Sequence, residues 1–116
     1  VMNRTQVLKR VREVHDHCPH CGNTETLQIH HRKNRGMGGR GKNSLDRFDN
    51  FLRVCAWLNY AMESNADVAA EAREMGWKLE QWDGFESPYF DKTDMRWYLL
   101  TQDGRKIHTH PPMYLI

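Results

Sequence analysis

Three observations predict an α+β domain for this chain. An apolar stripe at helical spacing opens it, two short apolar segments flank a glycine- and arginine-rich stretch, and an Asp-Gly turn between apolar runs marks a hairpin near its end. At 116 residues the chain has room for one domain with a modest core and not for two. No apolar run is long enough to span a bilayer, and no charged, apolar, small-residue leader opens the sequence, so a cytoplasmic protein is expected.

The elements follow in order. Val7, Leu8, Val11 and Val14 fall on one face of a helix over residues 3–17, with Arg4, Lys9, Arg10, Arg12 and Glu13 mostly elsewhere. Asn3 or Thr5 can cap its start. Cys18-Pro19-His20-Cys21-Gly22 ends it in a turn, and Leu27 and Ile29 then make a short strand that delivers His30 and His31. Residues 32–47 hold six Lys/Arg, one Asp and four Gly, the composition of an exposed loop. Phe51, Leu52 and Val54 predict a second strand returning to Cys55. Helices fit Ala56 to about Glu63 and Ala66 to Met75, with Gly76 where a C-terminal cap belongs. Beyond Trp77, Trp97-Tyr98-Leu99-Leu100 and Ile107 flank Gln102-Asp103-Gly104-Arg105, giving an accessory hairpin segment over 77–116. Trp57, Trp77, Trp82 and Trp97 are expected in packing, and His15, His17, His108 and His110 at the surface.

Charge is unevenly placed. The net value is +2, but residues 1–62 carry 11 Lys/Arg against 5 Asp/Glu and residues 63–116 carry 6 against 10. A polyanion meets the first half first. Three cysteines do not make a disulfide framework, and Cys18-x-x-Cys21 reads as half of a metal site in a reducing compartment.

His30 and His31 are adjacent at a strand's end, where successive side chains point to opposite faces. Such a pair can divide its work, one imidazole holding a metal and the other taking a proton, for which an ordinary pKa of about 6.5 is well placed. Asn50 and Asn59 follow nine residues apart. Glu63 is four residues beyond Asn59, on the same helix face.

The Cys-x-x-Cys turn, His30-His31-Arg32, the run Arg35-Gly36-Met37-Gly38-Gly39-Arg40-Gly41-Lys42, Asn50, Cys55 and Asn59, in that order, resemble the HNH endonucleases. They are most similar to the small free-standing HNH proteins of bacteriophages, over roughly residues 18–80. The resemblance implies a ββα-metal core at 18–66, flanked by the N-terminal helix and the C-terminal hairpin. It implies hydrolysis of phosphodiester bonds in double-stranded DNA, by nicking or cutting. His31 is then the general base, His30 and Asn59 are metal ligands joined by Glu63, and Asn50 braces the hairpin and helps orient the base. A nitrogen and two oxygens suit Mg²⁺ or Mn²⁺. Arg32, Lys33, Arg35, Arg40 and Lys42 are the expected DNA contacts. A phage terminase is an implied partner, because such genes accompany genome packaging.

The chain departs from the family at one structural position. Zinc-containing members carry a second Cys-x-x-Cys, and here it is Cys55-Ala56-Trp57-Leu58. Leucine ligates nothing, so a structural Zn²⁺ on Cys18, Cys21 and Cys55 needs a fourth ligand from His17, His20, another group or water. The other outcome is a zinc-free domain with Leu58 packed beside Ala61 and Met62. Two further functions stand beside the nuclease: a non-catalytic zinc-knuckle module that binds nucleic acid, and an accessory subunit of a packaging nuclease.

Overall fold

A computed structural model describes residues 2–34 and 45–112 of the chain. Asn3 starts the first helix, α1 (Arg4–Val14), through a reciprocal capping box with Gln6. Val7 and Val11, one turn apart, are buried, and the helix packs on the segment from Phe48 to Cys55.

Strand β1 (Leu27–His31) pairs antiparallel with β2 (Phe51–Cys55), with His31 opposite Phe51 and Leu27 opposite Cys55. A 3-10 turn, Phe48–Asn50, leads into β2. β2 runs directly into helix α2 (Ala56–Ser64), and α2 packs back on both strands. The result is a two-strands-then-helix unit. Asn65 then ends α2 and starts α3 (Ala66–Glu74), its side chain accepting from the amides of Asp67 and Val68. Gly76 terminates α3 in the left-handed region (φ 76°), and a Cβ there would sit 2.1 Å from the Pro88 carbonyl oxygen, so only glycine fits.

The C-terminal part contains more than the expected hairpin. β4 (Arg96–Leu100) and β5 (Lys106–Thr109) form it around Gly104, and a third strand, β3 (Tyr89–Asp91), pairs with β4 on its other edge. Three residues are too few to display a two-residue period, which is why the sequence hides β3. This sheet shares the core of the rest: Tyr89 and Leu100 lie in one buried cluster with Val11, Phe51, Leu58 and Trp77. Backbone and side-chain bonds tie it down, including Trp77 Nε1 to the Phe90 carbonyl (2.8 Å) and Arg10 Nε to the Gly104 carbonyl (2.8 Å). The fold is thus α+β, and no helix among the described residues is long and apolar enough to cross a membrane.

Several expected positions change. His15 is buried in the core rather than at the surface, stacked on Phe48 at 5.9 Å. Trp77 is fully buried and Trp97 half-buried, but Trp57 and Trp82 are exposed. Trp57 lies at the edge of the α2 face that buries Leu58, Ala61 and Met62, so its ring stays largely exposed beside His20.

Candidate active site

Two places gather chemistry-bearing side chains. At the first, the ligand atoms of Cys18, Cys21 and Cys55 all lie within 4.8 Å of one another, so the trio can bind a metal ion. Cys18 and Cys21 flank the turn after α1, closed by the Gly22 amide on the Cys18 carbonyl (2.8 Å). Cys55 caps α2, its Sγ accepting the Leu58 amide. Burial pushes the Cys18 thiol up to about 11, so without an ion this sulfur stays protonated near neutral pH. Leu58 is fully buried and offers no ligand. His17 is not the fourth ligand, because its ring nitrogens are taken by Asp16 (2.7 Å) and Asp91 (2.6 Å). His20 packs against Trp57 and Trp77, and its Nδ1 is buried with no hydrogen-bond partner.

The second place is an open cleft of about 230 Å³ between the end of β1 and α2, lined by His30, His31, Asn59, Glu63 and Lys78 among others. His30 is buried, and its Nε2 lies 2.7 Å from the Trp77 carbonyl oxygen. A carbonyl only accepts, so the proton is on Nε2 and the lone pair is on Nδ1. Burial, helped by the nearby charges of Lys78 and Arg32, pulls the His30 pKa down to about 4 and keeps the ring neutral, the form that ligates metals.

His31 sits at the same strand end, half-buried, with its ring 4.5 Å from that of Phe51. Its Nε2 lies 2.8 Å from Asp46 Oδ1, and the other Asp46 oxygen takes Arg4 Nε from α1 at 3.1 Å. A carboxylate here accepts the Nε2 proton, which fixes the ring and leaves Nδ1 to receive a proton. Asn59 donates its amide nitrogen to Gln28 (2.6 Å), so its oxygen is the atom left to offer. Glu63 is largely exposed and pairs with Lys78 Nζ at 3.2 Å. The cleft therefore collects an imidazole nitrogen, an amide oxygen and a carboxylate, a donor set that fits a hard divalent cation.

Asn50 is fully buried below this strand end. Its oxygen accepts the Lys33 amide (2.8 Å) and its nitrogen donates to the Leu45 carbonyl (3.0 Å), while its own carbonyl accepts the Arg32 amide (2.8 Å). It thus joins the segment leaving β1 to the segment approaching β2.

Arg32 and Lys33 depart from the sequence reading. Arg32, expected on DNA, is 1 % exposed, and its guanidinium donates to the carbonyls of Gly76 (2.8 Å), Asp49 (3.2 Å) and Ser87 (2.6 Å). Lys33 is also buried, its ammonium 4.5 Å from the centre of the Phe85 ring. Both follow directly from β1, where the chain still runs through the core. Arg35, Arg40 and Lys42 lie outside the described residues. Sequence reasoning missed Asp46 and Lys78. Asp46 had only its nearness to Asn50 as a signal, and Lys78, far along the chain from His31, had none.

The chain matches no protein-family model, no curated protein and no solved structure.

Proposed function

We propose that this protein is a metal-dependent endonuclease of the HNH type, hydrolysing phosphodiester bonds of double-stranded DNA. The observation that carries the reading is the cleft, where His30, His31, Asn59 and Glu63 meet although they come from two separate elements. His31 takes the proton of the attacking water at Nδ1, while Asp46 holds its other nitrogen. Water attacks phosphorus, the bond to the 3′ oxygen breaks, and that oxygen takes a proton from solvent water as it leaves. His30, Asn59 and Glu63 would hold Mg²⁺ or Mn²⁺, which would supply Lewis-acid stabilisation of the negative charge that develops in the reaction. Asn50 keeps the strand end in register for His31. Zn²⁺ is the ion we assign to Cys18, Cys21 and Cys55, where three thiolates leave one of its four positions to another group. The phage resemblance supports the host cytoplasm as its location and a terminase as its partner.

A second reading has its own support. Trp57 is exposed next to His20 in the cysteine turn, a surface on which a nucleic-acid base can stack. This favours a non-catalytic zinc-knuckle module or an accessory subunit. Supercoiled-plasmid cleavage by metal-stripped protein separates the two, with Mg²⁺, Mn²⁺ or Zn²⁺ added back and His31→Ala beside the wild type. Metal-dependent nicked or linear product that His31→Ala abolishes supports the nuclease. Intact plasmid under every metal, with DNA gel shift retained, supports the binding module.

A further inference from the structure

Lys78 is the charged side chain of the cleft that the nuclease reading leaves without a task. Its position is built in by its neighbours. The Trp77 carbonyl accepts from His30 (2.7 Å), and the Leu79 amide donates to the Arg32 carbonyl (2.8 Å). Lys33 and Leu79 pair as a parallel bridge. The backbone on either side of Lys78 is therefore fastened to the end of β1, the strand that presents both histidines. Its side chain is 20 % exposed against 60 % for its partner Glu63, and both line the cleft.

Charge counting suggests what such an ammonium does. Leaving the imidazoles aside, Glu63 and Lys78 cancel in the resting cleft. A divalent ion adds two positive charges, and the pentavalent transition state of a phosphodiester carries two negative ones. Lys78 places a further positive charge in the cleft where that negative charge develops.

We propose that Lys78 is the phosphate-binding cation of this cleft, held on Glu63 until that carboxylate turns to a divalent ion. This rests on the nuclease reading. Released from Glu63, the ammonium takes a non-bridging oxygen of the scissile phosphate. Its flexible four-carbon stem and three rotatable donors allow this without backbone movement. While paired, it competes with the ion for the same carboxylate.

The test uses Mn²⁺ alone as probe, with binding to metal-stripped protein read from loss of the free-ion electron paramagnetic resonance signal. Lys78→Gln should bind Mn²⁺ about fivefold more tightly, the upper end for loss of a partly exposed ion pair. In a Glu63→Gln background the same substitution should change nothing. At saturating Mn²⁺, plasmid cleavage by Lys78→Gln should fall about 100-fold in kcat, the usual loss for one charge-stabilising donor, and Lys78→Arg should retain most of it. Lys78→Met, which keeps the apolar stem, replaces Lys78→Gln if the latter does not fold. Unchanged Mn²⁺ affinity in a variant of wild-type thermal midpoint overturns the pairing role, and undiminished kcat overturns the phosphate role. If wild-type protein cleaves no DNA with any metal, the nuclease reading fails and takes the phosphate role with it. The Mn²⁺ comparison then still decides whether Lys78 guards Glu63.

Discussion

Replacing Arg32 by Met separates a structural arginine from a DNA-binding one. Methionine keeps much of the stem and removes the guanidinium, which donates to the carbonyls of Gly76, Asp49 and Ser87. Hydrogen bonds to a charged donor contribute about 1.5–3 kcal/mol each, and carbonyls left unsatisfied in the core add to the loss. Against this stands the cost of burying the charge, visible in a pKa pulled down to about 10 by burial. The balance expected is a loss of about 3–5 kcal/mol, as for breaking other buried charged networks. A domain of this length holds about 6–17 kcal/mol in total, so the variant should still fold. Its thermal midpoint should drop by roughly 12–20 °C, at about 4 °C per kcal/mol. Urea denaturation followed by circular dichroism measures the loss, and DNA gel shifts at several salt concentrations measure the alternative. A DNA contact predicts the reverse pattern: stability nearly unchanged, with the salt slope reduced by about one. A stability loss under about 1 kcal/mol together with that slope change would refute the structural role.

Three further outcomes are expected. His15 has a pKa lowered to about 3, first by burial and then by the charges of Lys106 and Arg32. The unfolded chain therefore takes up a proton below about pH 6.5 that the native state refuses, and stability falls as pH drops towards 3, by about 1.4 kcal/mol per pH unit. His15→Leu should flatten the urea midpoint against pH across that window, and an unchanged slope counts against the burial argument. Asn50→Ala leaves the Lys33 amide and the Leu45 carbonyl without their side-chain partner and should cost about 2–3 kcal/mol, read by urea denaturation. Cys55→Ser should lower the thermal midpoint of zinc-loaded protein and leave chelator-treated protein nearly unchanged; equal effects in both would mean that the trio holds no structural ion.

Much of the framework was legible along the chain. The apolar stripe on α1, the strands around His30-His31 and Phe51–Cys55, both following helices and the Gly104 turn rest on local periods and turn residues. So does the meeting of Asn59 and Glu63 on one face of α2. The errors share a cause. Arg32, Lys33 and His15 are polar residues that composition sends to the surface, whereas each is buried among partners brought in from distant elements. Trp57 and Trp82 err the other way, because apolar bulk alone does not say how much of a side chain at a helix edge or in a loop the core covers.

By itself the sequence determined the α+β class, the order of most elements, and which residues carry chemistry. Residue type, helical and strand periods, and turn requirements are properties of neighbours along the chain. Tertiary structure alone decided that three cysteines converge, that Asp46 joins His31, and that Lys78 faces Glu63 across the cleft. It also turned Arg32 into a buried tie between β1, α3 and the segment before β3. Hydrogen bonds and ion pairs form between groups that packing brings within about 3 Å, whatever their distance along the chain.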